Sequence, residues 1–297
     1  MRILVTGASG WIGSASVTEL IGAGHQVLGM ARSDEAAAKI EALGAQVVRG
    51  SLDDIASLRD AAAQAEGVVH LGYNHDFSQM AAAAQTDRAA IDAFADVLQG
   101  TGGPLLIASG ALGLPPGRVG TERDLPQPGG HPRMETAAYT LGLAERGIRS
   151  MVVRFAPTVH GAGGDHGFMA ALARIAREKG IAAYIGEGLN RWPAVNRLDA
   201  GKLVALAIDK APAGAVLHAT AEEGVATRDI AAALGRYLNV PVESVPADRA
   251  QAHFDWLGMF FGADMAVSSE YTRELLGWHP AHATLLEDIA AGHYPGE

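Results

Sequence analysis

Short apolar runs alternate with longer amphipathic stretches along the first half of the chain. Arg2-Ile3-Leu4-Val5-Thr6 has an unbroken apolar centre, the pattern of a strand buried on both faces of a parallel sheet. After a glycine turn, helical spacing predicts a helix over Ile12 to Gly22. Strands are expected at Gly24 to Met30, Ala45 to Arg49 and Gly67 to Leu71, separated by helices over Asp34 to Leu43 and Ile55 to Ala65. A helical stretch from Phe77 to Leu98 leads to a fifth strand at Pro104 to Ala108. A Gly- and Pro-rich loop from Gly113 to Pro132 precedes a helix over Met134 to Glu145 and a sixth strand at Arg149 to Arg154. Strands joined by helices at this spacing specify βαβ units and a parallel sheet, because parallel neighbours need a crossover.

Past Pro157 the rhythm weakens. His160 to Gly167 reads as a polar, glycine-rich loop, followed by a helix over Phe168 to Lys179 and a strand at Ile181 to Ile185. A helix is expected over Asp199 to Ala211, a strand at Ala215 to Ala219, and a further helix capped by Thr227. His253-Phe254-Asp255-Trp256-Leu257 and Met259-Phe260-Phe261 form an aromatic patch. At helical spacing it suits a core; turned toward a crevice it would favour a partly apolar substrate.

Composition narrows the field. The chain has 297 residues, 48% of them hydrophobic and 19% charged, with a formal net charge of -10. Acidity weighs against nucleic acid as a partner, because phosphates need clustered Lys and Arg. There is no Cys, so disulfide and thiolate chemistry are excluded. No apolar run reaches the roughly 18 residues a membrane helix needs. Met1 leads directly into the first strand, with no signal-peptide pattern. A cytoplasmic protein without membrane or nucleic-acid partners is expected.

Thr6-Gly7-Ala8-Ser9-Gly10-Trp11-Ile12-Gly13 spaces three glycines at intervals of three between a strand and a helix. In a dinucleotide site the first glycine makes the tight turn, the second admits the pyrophosphate, and the third lets helix and strand pack closely. The helix N-terminus adds free N–H groups and positive dipole. The second strand bears on the choice of cofactor. An NAD site has an acid about 20 residues beyond the glycines. Here the strand ends Met30-Ala31-Arg32-Ser33, and Arg32 and Ser33 can hold the 2′-phosphate of NADP. Asp34, slightly late, keeps NAD as the alternative.

These residues resemble the short-chain dehydrogenase/reductase superfamily, in its extended or atypical branch of NAD(P)-dependent epimerase/dehydratase-like proteins. The glycine loop is joined in this by Gly50-Ser51-Leu52-Asp53-Asp54, Val68-Val69-His70-Leu71-Gly72 and Arg154-Phe155-Ala156-Pro157-Thr158-Val159-His160-Gly161. A weaker similarity runs over Trp192 to Ala200. The resemblance implies a Rossmann-type doubly wound parallel sheet with a small C-terminal substrate-binding lobe. Residues 1–160 would form the dinucleotide-binding region and 161–297 would complete the sheet and build the lobe, with a soft boundary. It also implies Leu52 and Asp53 near the adenine, Leu71 and Gly72 beside the dinucleotide, and Pro157 and Val159 near the nicotinamide. Asp53 also suits the N-cap of the helix ahead of Ile55. In relatives the helix pair corresponding to Phe77–Leu98 and Met134–Glu145 often builds a homodimer, and Ala81 to Ala84 would suit close helix approach or packing on the sheet.

The family's chemistry normally uses Tyr-x-x-x-Lys on the helix before the sixth strand. Aligned on Arg154, Arg133 stands at the Tyr position and Ala137 at the Lys position. Tyr139 is six residues away from Arg133 and turned off its face at about 100° per residue. Substitute proton donors are Tyr73, a phenol after the fourth strand, and His160, where relatives often have Tyr. Ser109 after the fifth strand is the candidate catalytic hydroxyl. His75, Asp76, Asp165, His166 and the segment Arg191 to Arg197 also lie where strands end. Their blander reading is loop hydrogen bonding, and their spacing gives no metal-ligand set. The readings carried forward are an NADP-dependent oxidoreductase of a small carbonyl or alcohol, a redox-inactive NADP sensor, and a sugar-nucleotide epimerase or dehydratase.

Overall fold

The computed structural model describes residues 1–74, 79–111, 113–114, 117–125 and 132–294. The central sheet has seven strands, all parallel, in the order β3-β2-β1-β4-β5-β6-β10. These are β1 Arg2–Thr6, β2 Gln26–Ala31, β3 Gln46–Arg49, β4 Gly67–His70, β5 Pro104–Gly110, β6 Arg149–Phe155 and β10 Ala215–Ala219. The first six follow the doubly wound order in which chain direction across the sheet reverses between β1 and β4, and a ligand crevice opens there at the carboxyl ends of the strands.

Helices cover both faces. On one, α1 (Trp11–Gly22), α2 (Asp34–Ala42) and α7 (Arg197–Lys210) bury Val17, Leu20, Ile40, Leu203 and Ile208. On the other, α3 (Ile55–Ala62), α4 (Met80–Leu98) and α5 (Pro132–Gly142) bury Leu58, Ile91, Phe94 and Ala137. Leu143–Arg146 is a 3-10 turn rather than a continuation of α5. Within the Ala81 to Ala84 stretch, Ala83 and Ala84 are buried while Ala81 and Ala82 are exposed. Among the described residues no helix is long and apolar enough to cross a membrane.

A separate apolar cluster centres on Met169, Leu172, Trp192, Leu234, Phe254 and Phe261. It lies among α6 (Phe168–Lys179), α8 (Thr227–Leu238), α9 (Ala250–Phe254), α10 (Gly258–Phe261) and α12 (Leu285–Ala290). Between α10 and α12 runs α11 (Glu270–Leu276). Two small sheets complete this part: β11-β9-β7, formed by Glu222–Ala226, Arg191–Asn196 and Thr158–His160, and β12-β8, formed by Val242–Val245 and Ala182–Ile185.

Several local expectations change. Thr158 to His160 is a strand rather than the edge of a loop, and Arg191 to Asn196 is a strand despite Pro193. Pro cannot donate to a ladder, which is why the pattern did not read as a strand. The N-cap ahead of Ile55 is Asp54, which accepts from Ser57 N at 3.2 Å, not Asp53. Thr227 is the first residue of α8 rather than its cap, and its hydroxyl donates to Asn190 Oδ1 at 2.7 Å. Phe254, Leu257 and Phe261 are buried in the lobe core, where Phe261 meets the Trp192 ring edge-on and the Phe254 ring at a tilt. The aromatic patch is therefore chiefly core, and its expected bearing on substrate polarity falls away.

Candidate functional site: the carboxyl edge of the parallel sheet

The parallel order brings the residues that follow β1 to β6 to one edge. Gly7 is held at φ +67, and a Cβ there would lie 2.8 Å from Gly72 N. The turn is thus pressed against the segment leaving β4. A Cβ on Gly13 would lie 2.0 Å from Gly7 O, so α1 packs on the turn at a distance no side chain permits. Gly10 differs from both, because a Cβ there would meet only Gly7 O, at 3.1 Å. It is the N-cap of α1, with no side-chain cap and no acid in the first turn, leaving the N–H groups at this end without a carboxylate competitor. This cradle fits a dinucleotide pyrophosphate. Ser9 is partly buried in the turn, and Ile12 packs on the core from α1.

Around the cradle, Arg32 follows β2, exposed, with no hydrogen-bond or ion-pair partner among the described residues. Ser33 caps α2, accepting from Ala36 N at 3.2 Å. Asp34 is engaged by Arg49 at 2.7 Å. Leu52 reaches Gly72, its Cδ1 lying 3.4 Å from a Cβ built there, and Asp53 is exposed beside Ser51. Leu71 N donates to Thr6 O at 3.3 Å. Trp11 Nε1 donates to Val159 O at 2.7 Å, tying the glycine loop to the segment after β6 that carries Pro157.

Behind this surface runs a buried chain that the sequence did not reveal. Gly72 N donates to Thr6 Oγ1 at 3.1 Å, Thr6 Oγ1 meets His70 Nδ1 at 2.6 Å, and His70 Nε2 meets Asp87 Oδ1 at 3.1 Å. With Thr6 donating to Nδ1, His70 is protonated at Nε2, whose N–H donates a hydrogen bond to Asp87 Oδ1. The relay fixes the loop after β4 to the glycine turn.

Tyr73 lies on that loop. The guanidinium carbon of Arg133, from α5, stands 4.0 Å from the centroid of its ring. Burial pushes the Tyr73 phenol up, the Arg133 charge opposes this, and Asp87 adds to the rise. Helix α5 reads Pro-Arg-Met-Glu-Thr-Ala-Ala-Tyr-Thr-Leu-Gly and contains no lysine. Tyr139 is engaged elsewhere, donating to Asp92 Oδ1 at 2.6 Å beneath Arg88. Ser109 is buried at the end of β5, in register with Arg154.

His160 is a different case. It is fully buried, its Nδ1 lies 2.5 Å from Asp288 Oδ2, and its Nε2 faces Glu222 at 3.7 Å. Asp288 also accepts from Asn196 Nδ2 at 3.1 Å and meets His293. Both ring nitrogens thus face carboxylates of the lobe, and His160 is a junction between β7 and α12 rather than a proton donor open to substrate. Asp165 accepts from Gly167 N at 2.6 Å and bonds Tyr294, and burial raises its pKa. His166 is exposed. His75, Asp76 and His131 lie outside the described residues. No group of three or more potential metal ligands occurs among the described residues.

A doubly wound sheet with this glycine cradle at its switch point defines a dinucleotide-binding α/β protein of the extended short-chain dehydrogenase/reductase type. Residues 3–220 match the NAD dependent epimerase/dehydratase family, and the chain belongs to that family. An uncharacterized protein of Schizosaccharomyces pombe is 45% identical over 296 residues, covering 99% of this chain and 100% of that one. Among solved structures, a nucleoside-diphosphate-sugar epimerase from Pseudomonas aeruginosa superposes with a TM-score of 0.79 at 16% identity, covering 99% of this chain and 96% of that one. UDP-glucose 4-epimerase from Thermus thermophilus, in complex with NAD, superposes with a TM-score of 0.74 at 21% identity, covering 100% and 99%. At these identities the structural neighbours establish the fold.

Proposed function

We propose that this protein is an NADP-dependent oxidoreductase acting on a small carbonyl or alcohol, with Tyr73 as the proton donor. A bound nicotinamide dinucleotide supplies or accepts the hydride. The reading rests above all on Tyr73 and Arg133: a phenol on the loop after β4, beside the cofactor cradle, with a guanidinium 4.0 Å from its ring centroid. The family's usual pair also couples a phenol to a cation, so a similar function is assembled here from different positions. Tyr73 stays protonated at neutral pH, because burial raises its pKa, and can donate to an oxygen that gains negative charge as hydride arrives. Arg133 holds that charge electrostatically. Ser109, at the end of β5, is the candidate second hydroxyl for orienting the substrate oxygen.

The preference for NADP is drawn from Arg32, which has no hydrogen-bond or ion-pair partner among the described residues, and from Asp34, which is engaged by Arg49. Asp34 is thereby less available to ribose hydroxyls. The test is NADPH consumption over a broad panel of aldehydes and ketones, wild type against Tyr73→Phe. Turnover that drops about a hundredfold or more in the variant supports the proposal; turnover unchanged in the variant refutes Tyr73 as donor. Tight NADPH binding without turnover on any panel member favours the second reading, a redox-inactive NADP sensor, for which the lysine-free α5 speaks.

A further inference from the structure

Among the described residues the half-buried arginines are, with one exception, held by protein. Arg149 donates to the Ile208 and Ala211 carbonyls, Arg191 to Asp264, and Arg273 to Ser269 and the Ala221 carbonyl. Arg133 rests on Tyr73. Arg197 is half-buried and has no hydrogen-bond or carboxylate partner among the described residues. Its guanidinium carbon is 4.5 Å from the centroid of the Trp11 ring. A cation left without a counter-charge in a partly dry place is costly unless something anionic arrives.

Its position says what arrives. Trp11 opens α1 and Arg197 opens α7. One helical turn later, a Cβ on Gly201 would lie 2.7 Å from Ala15 C. Contacts at both steps mean that α1 and α7 run side by side in the same direction, with their positive ends together. The acid in the first turn of α7 does not cancel this, since Asp199 accepts from the Ala281 and His282 amides and meets the His282 ring. Two glycines of the segment after β7 lie against Arg197. A Cβ on Gly161 would lie 3.3 Å from Arg197 Cγ, and one on Gly163 would lie 3.5 Å from its Nη2. The indole gives the guanidinium a cation–π contact at 4.5 Å, which leaves its five N–H groups unsatisfied by any carboxylate among the described residues.

We propose that Arg197 joins the glycine loop in holding the dinucleotide pyrophosphate, so that the segment β9–α7 supplies part of the cofactor site. This rests on the reading that the chain binds a dinucleotide. Arg197 is then a binding residue with no structural duty of its own, which sets the test. The full chain and R197Q are titrated with NADPH by calorimetry at several salt concentrations, and both are melted without cofactor. The expected result is an affinity about ten- to a hundredfold lower in R197Q, a shallower salt dependence, and an unchanged melting temperature. R197K, which keeps charge but not the planar fork, should fall between the two. Inorganic pyrophosphate should displace NADPH from wild type and do so less effectively from R197Q. Wild-type affinity for NADPH in R197Q overturns the inference alone and leaves the residue for an anionic substrate. A wild-type chain that binds neither NADPH nor NADH overturns the cofactor reading, and this inference with it.

Discussion

The three loop glycines should fail in different ways when each gains a methyl group. In Gly13→Ala the new carbon would lie 2.0 Å from Gly7 O and 2.8 Å from Gly7 C. Ordinary contact needs about 3.5 Å, so the turn and α1 must part by more than about 1 Å. Overpacking costs about 1–3 kcal/mol, and the upper end applies because the obstacle is backbone. Gly7→Ala adds about 1–2 kcal/mol for an L residue at φ +67 to its contact with Gly72 N. Gly10→Ala is nearly neutral for the fold. Its backbone, at φ -79 and ψ 179, suits any residue, and the nearest atom is Gly7 O at 3.1 Å. Alanine at an N-cap costs roughly 0.5–1 kcal/mol, and the stiffer unfolded chain offsets about 0.4–1 kcal/mol. The methyl would nonetheless stand where the pyrophosphate must approach. Urea denaturation of the cofactor-free chain and titration with NADPH separate the two effects. Gly13→Ala should lose about 3 kcal/mol of stability and its binding as well. Gly10→Ala should keep its denaturation midpoint while NADPH affinity falls about ten- to a hundredfold. If Gly10→Ala lost as much stability as Gly13→Ala, or bound NADPH like wild type, the glycines would not divide packing and binding between them in this way.

Arg32→Ala should weaken NADPH by about ten- to a hundredfold and leave NADH unchanged, since a charge-assisted contact to the 2′-phosphate is worth about 1.5–3 kcal/mol; equal affinity for both cofactors in wild type would sink the NADP preference. His160→Ala should lower stability by about 3 kcal/mol in thermal melts, because it strips Asp288 of a buried partner. An enzyme with lost turnover but an unchanged melt would return His160 to catalysis. His218 is buried, its Nε2 facing Arg154 at 3.3 Å and its Nδ1 bonding the Ser268 carbonyl at 2.7 Å. Burial lowers its pKa, so the unfolded chain takes the proton first as pH drops. Stability should therefore be lost below the unfolded histidine value of about 6.5, by up to about 1.4 kcal/mol per pH unit, and His218→Gln should flatten that slope in denaturation series. A slope that persists in the variant would place the acid sensitivity elsewhere.

What could be read from the sequence and what could not divide along chain separation. The glycine loop is a local object, since its three residues, the strand before it and the helix after it occupy one stretch, Arg2 to Gly22. Alternating strands and helices were legible for the same reason, each βα unit burying its own apolar run. The partners of His160 and Tyr73 are not local. Asp288 is 128 positions from His160, so nothing around His160 separates a buried histidine held by a carboxylate from a free proton donor. Tyr73 on the loop after β4 and Arg133 on α5 meet across a long stretch of chain, and in the sequence Arg133 reads as a replaced tyrosine rather than as a cation. The strands at Thr158–His160 and Arg191–Asn196 escaped because one is three residues long and the other carries Pro193. That second strand matters most, since it delivers Asn196 as the cap of α7 and Arg197 as its first helical residue. A segment that reads as a polar loop suggests solvated charges; as a strand running into a helix parallel to α1, it aims one of those charges at the cofactor cradle. A position that departs from the family's pattern is therefore better judged by what the fold brings to it than by the letter that stands there.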